Sequence, residues 1–236
     1  MIDIHTHILP GIDDGSRNFD ESLKILQGLA EKDVTHVILT PHYVTSSAYA
    51  SPRSTNLKLY RQLQKRVDEA SINITLYLGN EIYIDRSISD LLKKGKISPL
   101  ADGNYILVEL PMSGEFADFE DILLSLKYEG WKVILAHPER YHTYHEDYKK
   151  LYNLTEQGIL LQCNLGSIIG QYGRHSKKVL KKLAKEKLIF CFGSDTHRVR
   201  DFSEITKAQQ KLLRYYTASE LKELLEDNPK RIINDI

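Results

Sequence analysis

Seven short runs rich in Val, Ile, Leu and Tyr, at 2–4, 36–40, 75–79, 105–109, 132–136, 159–163 and 189–193, read as β-strands, with helical stretches between them along the whole chain. Leu23, Leu26, Leu29 and Ala30 repeat at helical spacing, as do Tyr60, Leu63, Val67 and Ala70. Further helices are expected at 87–94, 117–128, 146–157, 175–186, 203–213 and 217–234, with Ser87, Ser176, Ser203 and Ser219 as N-caps. The stretch 99–104 reads as a turn and 43–55 as a loop rich in Ser, Ala and Tyr. Strand–helix alternation of this kind builds a parallel sheet with outer helices. The expected α/β fold is a distorted (β/α)7 TIM-like barrel in one domain over 1–236, with a doubly wound open sheet as the alternative. A chain of 236 residues is normal for one such barrel, and no linker or low-complexity tract interrupts it.

A barrel gathers the C-terminal ends of all its strands on one face, where active sites form. Here those ends carry His5 and His7, His42, Glu81, Glu109, His137, and Asp195 with His197. Residues i and i+2 of a strand face the same way, so His5 and His7 can reach one cation together, as can Asp195 and His197. Each motif alone has a plainer reading. His5-Thr6-His7 fits two half-buried histidines, Ile12-Asp13-Asp14-Gly15 fits a turn, and either glutamate fits a buried salt bridge or a cap. Glu109, however, follows Tyr105-Ile106-Leu107-Val108, where a charge is buried and needs a partner, and a metal is one. Asp14 would add a hard oxygen ligand suited to Mn, Mg or Fe. So many imidazoles and carboxylates converging on one face predict a multinuclear metal site. Arg140, after His137-Pro138-Glu139, is placed to clamp an oxyanion with its planar fork. Arg198 and Arg200 read as solvated charges.

Lys and Arg number 32, as do Asp and Glu, so the formal net charge is zero. Charge therefore suggests docking onto neither nucleic acid nor an anionic membrane, and no basic stripe is apparent that would suit DNA, although a locally basic pocket is compatible. No apolar run approaches the roughly 20 residues that span a bilayer. No signal peptide precedes His5, so a cytoplasmic location without membrane insertion is expected. Cys163 and Cys191 lie in different strand runs, which argues against a disulfide framework. Neither heads the Cys-x5-Arg loop of cysteine phosphatases, since six residues separate Cys191 from Arg198. Phosphate-loop, dinucleotide-binding and nucleophile-elbow motifs are all missing from the sequence. The scattered tyrosines read as packing residues.

Taken together, His5-Thr6-His7, Pro10-Gly11-Ile12-Asp13-Asp14-Gly15, Thr40-Pro41-His42, Gly79-Asn80-Glu81, His137-Pro138-Glu139-Arg140 and Gly193-Ser194-Asp195-Thr196-His197 resemble the PHP (polymerase and histidinol phosphatase) superfamily. The likeness is closest to its manganese-dependent protein tyrosine phosphatases of capsule and exopolysaccharide biosynthesis, the CpsB/CapC type. It spans nearly the whole chain, and Asn228-Pro229 resembles that family's ending.

The resemblance implies the PHP form of the barrel and three metal ions, Mn2+ foremost, with Fe, Mg or Zn as alternatives. His5, His7, Glu81 and Asp195 would hold the first ion. Glu81 would bridge to the second, shared with Glu109 and His137, while Asp14, His42 and His197 would hold the third. Of the two adjacent carboxylates, Asp14 rather than Asp13 is taken as the ligand. Arg140 would bind the substrate phosphate, and His42, His197 or a water are the candidate general acids. The implied reaction is hydrolysis of phosphotyrosine by in-line attack of water. The implied substrate is the Tyr-rich tail of a bacterial tyrosine kinase that regulates capsule synthesis, and an oligomer is compatible. Two rivals are another PHP hydrolase, acting on histidinol phosphate or DNA ends, and a non-catalytic metal-stabilised module that binds the kinase.

Overall fold

The wall of the molecule is a parallel sheet curled into a barrel, seen in a computed structural model that describes residues 1–113, 118–199 and 204–235. In chain order the first half holds β1 (Ile2–Thr6), α1 (Phe19–Ala30), β2 (His36–Leu39), β3 (His42–Tyr43), α2 (Arg53–Glu69), β4 (Thr75–Leu78), β5 (Glu81–Tyr83), α3 (Ile88–Lys93) and β6 (Tyr105–Glu109). The second half holds α4 (Phe119–Tyr128), β7 (Lys132–Ala136), α5 (His142–Glu146), α6 (Lys149–Glu156), β8 (Leu160–Asn164), α7 (Leu165–Ile169), α8 (Gly173–Lys185) and β9 (Cys191–Gly193). It ends with α9 (Ile205–Leu212), α10 (Ala218–Lys222), a π-helical turn Glu223–Asp227 and α11 (Asn228–Ile233).

Two expected strands end within one residue of the expected place, and each is followed by a short further strand. The run 36–40 stops at Leu39 and resumes as β3, because Pro41 has no N–H to give the ladder. The run 75–79 likewise resumes as β5 after Gly79-Asn80. Below the breaks β2 pairs with β1 and β4; above them β3 pairs with β5, which continues the wall to β6, β7, β8 and β9. The wall closes where Thr6 bridges to Thr196, with His7 N–H donating to the Thr196 carbonyl and Asp195 N–H to that of His5, both at 2.9 Å. The result is the distorted (β/α)7 barrel. Closure requires Gly193, since a Cβ there would stand 2.9 Å from the Cβ of His5.

Alternation divides the strand residues into two apolar layers. Tyr105, Leu107, Ile134, Ala136 and Cys191 join Ile4, Ile38 and Ile232 in one cluster. Ile106, Val108, Val133 and Leu135 join a larger one with Leu123 and Leu126 of α4. Glu109 shares the parity of Tyr105 and Leu107, which aims it into the barrel mouth. Cys163 and Cys191 are buried and free. No helix among the described residues is long and apolar enough to cross a membrane.

The capping expectations are corrected. Ser87 stands at the start of α3, but its hydroxyl donates to Asp85 at 2.5 Å instead of capping. Ser176 lies inside α8 and donates back to the Tyr172 carbonyl at 3.0 Å. Thr217, not Ser219, caps α10 in a capping box with Glu220. The expected helix 146–157 is α6, which begins at Lys149, and a separate short helix α5 precedes it. Ser203, Arg200 and the expected helix start at 117 lie outside the described residues.

The expected absence of a basic stripe is also corrected. α8 buries Ser176, Val179, Leu180, Leu183 and Ala184, which leaves Arg174, Lys177, Lys178, Lys181, Lys182 and Lys185 on its outer side. In the linear sequence apolar residues interrupt these cations, and only the helical period collects them.

Candidate metal centre

The strand ends, with the loop that carries Asp14, bring every sequence-derived candidate ligand to one place, with Glu81 at the middle. Its Oε1 lies 2.8 Å from His137 Nε2 and 3.2 Å from His5 Nε2, and its Oε2 lies 2.9 Å from His42 Nδ1 and 3.3 Å from His7 Nε2. Glu109 faces the same space, 3.4 Å from His42 Nδ1 and 3.8 Å from His137 Nε2. Asp195 Oδ1 stands 3.6 Å from His5 Nε2 and 3.5 Å from His7 Nε2. Asp14 Oδ1 lies 3.5 Å from His42 Nε2 and 3.4 Å from His197 Nε2. His5, His7 and His137 are buried, whereas the side chains of His42 and His197 are 14% and 25% exposed and that of Asp14 53%. The cluster therefore opens to solvent on the Asp14 side.

The groups that could hold an ion differ in part from the sequence-based division. His5, His7 and Glu81 form one group, and Glu81, Glu109 and His42 another, whereas His7 also joins Asp14, His42 and His197. His137 groups with His5 and Asp195. His5, His7, His42 and Glu81 each fall in two groups, so sharing of ligands extends beyond the Glu81 bridge expected from the sequence.

Hydrogen bonding shows that a cation fits. His5 Nδ1 lies 2.8 Å from Gln162 Oε1, His7 Nδ1 lies 2.8 Å from Asp13 Oδ2, and His197 Nδ1 lies 2.9 Å from the Asp195 carbonyl. Each partner accepts, so each Nδ1 is assigned the proton, and each Nε2 is left with a lone pair. The Nε2 atoms of His5 and His7 then face each other at 3.1 Å, lone pair to lone pair. Such a pair needs a cation between the rings or an added proton. His42 Nδ1 and Glu81 Oε2 come within 2.9 Å, yet neither has a hydrogen bond in good geometry. His137 Nδ1 is likewise buried without a partner. Imidazoles fixed at Nδ1 by an acceptor are the usual support for metal-binding Nε2 atoms.

Electrostatics agree. Burial alone would push His5 down, but the Glu81 and Asp195 carboxylates outweigh it and raise the ring to about 9. Burial is likewise outweighed at His42, raised to about 12 chiefly by Glu81 and Glu109, and at His197, raised to about 9 by Asp14 and Asp195. Asp195 is held down to about 2, the nearby His5, His137 and Arg140 charges overcoming its burial. Without metal these rings carry protons at neutral pH, whereas a ligand must be neutral, so metal uptake releases protons. Affinity is expected to fall as pH drops. Calorimetry at pH 7 in two buffers of different ionisation heat checks this: buffer-dependent heats reporting net proton release are expected, and buffer-independent heats would contradict it.

A sequence model described as "Capsular polysaccharide synthesis, CpsB/CapC" matches residues 1–234. The chain belongs to the CpsB/CapC family. It is 30% identical over 235 residues to the tyrosine-protein phosphatase YwqE of Bacillus subtilis, covering 100% of this chain and 92% of that protein. To the tyrosine-protein phosphatase CpsB of Streptococcus pneumoniae it is 26% identical over 241 residues, covering 100% and 99%. A chain from the crystal structures of YwqE and CpsB, described as unique metal-dependent tyrosine phosphatases, matches with a TM-score of 0.89 at 29% identity, covering 100% of this chain and 95% of that one. A putative histidinol phosphatase of Listeria monocytogenes matches at 13% identity with a TM-score of 0.51, covering 86% and 97%, and shares the fold.

Around the candidate ligands of this CpsB/CapC chain stands a layer of supporting residues to which the sequence reading gave no such role, Asp13 having been weighed only as an alternative ligand to Asp14. Asp13 accepts from Gly15 N–H and His42 N–H at 2.9 and 3.0 Å while facing His7 Nδ1, so it supports ring and loop together. Gly15 is needed here because a Cβ would collide with the His7 carbonyl. Asn164 Nδ2 donates to Asp195 Oδ2 at 2.7 Å, and Gln162 Nε2 donates to Asn164 Oδ1 at 2.9 Å, which links His5 to Asp195 through β8. Buried Glu139 accepts from Asn164 N–H and the Ser167 hydroxyl, anchoring the 138–140 turn that carries Arg140. Arg140 Nη1 donates to Asp195 Oδ2 at 2.6 Å, and its guanidinium lies 4.5 Å over the Tyr172 ring. Gln162 and Asn164 were findable: they share the i, i+2 relation at a strand end that picked out His5 and His7. Asp13→Ala is expected to weaken metal binding about 10–100-fold, the usual cost of losing a support of this kind, as read by competition with a chelator. Unchanged affinity would contradict the supporting role.

Proposed function

We propose that this protein is a metal-dependent protein-tyrosine phosphatase, a phosphoric monoester hydrolase, acting as one domain over 1–236. The observation that carries the reading is the facing pair of His5 and His7 Nε2 atoms beside Glu81, in a CpsB/CapC chain with Arg140 at the edge of the cluster. His5, His7, Asp14, His42, Glu81, Glu109, His137, Asp195 and His197 would hold the metal, for which we propose Mn2+ and three ions. When bound, such cations supply Lewis acidity toward phosphoryl oxygens and a water acidic enough to attack near neutral pH.

The chain's own residues do the rest. Arg140 binds and orients the phosphoryl group through its fork and neutralises charge on its oxygens. Asn164 and Asp195 hold the guanidinium side of the site, and Tyr172 braces its face. The phenol leaving group has a pKa of about 10, so it needs little protonation on departure. His42 and His197, the solvent-reached rings, stand with water as the candidate proton donors. The proposed substrate is phosphotyrosine on a bacterial tyrosine kinase that regulates capsular or exopolysaccharide synthesis, met in the cytoplasm.

Phosphotyrosine peptide and histidinol phosphate assayed in parallel with added Mn2+ test this. A kcat/KM higher for the peptide is expected. Preference for histidinol phosphate would move the function to that substrate, and metal binding without turnover of either would favour a kinase-binding module.

A further inference from the structure

Most of the cations of α8 have no carboxylate partner among the described residues. With Tyr215 they line a groove of about 410 Å³. Other lysines are paired: Lys187 meets Glu220 at 2.9 Å and Lys207 meets Glu204 at 2.6 Å. Among the described residues, Arg174, Lys177, Lys178, Lys181 and Lys185 have no carboxylate partner, and Lys182 rests over the Tyr148 ring at 4.1 Å. Glu186, at the C-terminal end, is taken by the Tyr148 hydroxyl. The first turn of α8 holds no acid, and Arg174 sits there against the helix dipole. Desolvation and the neighbouring Lys211 and Lys181 hold Lys177 below the ordinary lysine range. A chain with as many acids as bases has the means to pair this row, and among the described residues only the Tyr148 ring meets any of it.

The helix that carries the groove begins beside the candidate metal centre. α8 starts directly after Tyr172, whose ring lies under Arg140, and it packs against the 138–140 turn. Its 13 residues span roughly 20 Å, the length of about six residues of extended peptide. A lipid surface would suit a flat face with an apolar anchor, and α8 exposes no large apolar side chain. We propose that the α8 groove docks an acidic segment of the phosphoprotein substrate, lying alongside the phosphotyrosine held at Arg140. This rests on the phosphatase reading and adds a specificity for Asp- and Glu-rich flanks.

The test replaces Lys177, Lys178, Lys181 and Lys185 together by Glu, and in a milder variant by Gln. Anisotropy of a labelled, unphosphorylated Glu-rich hexapeptide reads the groove without turnover. Steady-state kinetics compare phosphotyrosine peptides with acidic or neutral flanks, and p-nitrophenyl phosphate. For both variants a loss of about tenfold or more in hexapeptide binding is expected, with an equal loss of kcat/KM on the acidic-flanked peptide, through KM. The other two substrates should be unchanged, and about 0.5 M salt should erase the wild-type preference. Wild type without that preference, or Gln variants that keep it, would overturn the proposal. So would variants that lose only binding to phosphatidylserine vesicles or to single-stranded DNA. Absence of phosphotyrosine hydrolysis with lysine-dependent peptide binding intact would sink the phosphatase reading instead.

Discussion

Glu81→Gln is expected to empty the centre of metal and to bring phosphotyrosine turnover down to background. The loss should exceed the 10–100-fold typical of residues that only support a ligand. Four histidines, His5, His7, His42 and His137, point a ring nitrogen at its two oxygens within 3.3 Å. Gln keeps the shape but offers one oxygen and no charge. The Glu81 backbone is held independently, its N–H donating to the Pro41 carbonyl, so the barrel should persist. Elemental analysis beside steady-state kinetics checks this, and full metal content with full turnover in the variant would remove Glu81 from the site.

Arg140→Ala is expected to leave metal content intact and lower kcat/KM by about 10³, the lower end for arginines that stabilise a transferring phosphoryl group. Arg140 is no candidate ligand, and Asn164 still donates to Asp195 Oδ2 without it. The guanidinium is fixed in place by Asp195 and Tyr172 and is 24% exposed, so it can meet an incoming phosphate without reorganising. Arg140→Lys should recover little, because a point charge neither forks nor stacks as a planar guanidinium does. Metal loss in the alanine variant would make Arg140 a structural residue, and wild-type turnover would take it out of the reaction.

The strand-end positions were readable because one rule, the parity of a strand feeding a barrel mouth, governs both fold and site. Glu109 shows it most plainly: the apolar run before it fixes its side, and its charge then demands a partner. Asp13 and Asp14 were not separable by that rule. They lie in a loop, and only the turn geometry gives Asp13 to His7 and the backbone while Asp14 reaches His42 and His197. β3 and β5, which resume after Thr40-Pro41 and Gly79-Asn80, were hidden because they are only two and three residues long and lie past the apolar runs. Asn80 spans the gap, its amide bridging the Pro41 carbonyl and the Ser98 N–H. The α8 stripe escaped because net charge is a sum over the chain, whereas a groove depends on which residues one helical face collects.

The most direct test of the account removes metal by chelation and follows hydrolysis of a phosphotyrosine peptide before and after Mn2+ is returned. Activity that vanishes with the metal and comes back with it is the predicted result. Hydrolysis that persists in protein shown to be metal-free would contradict the account at its centre.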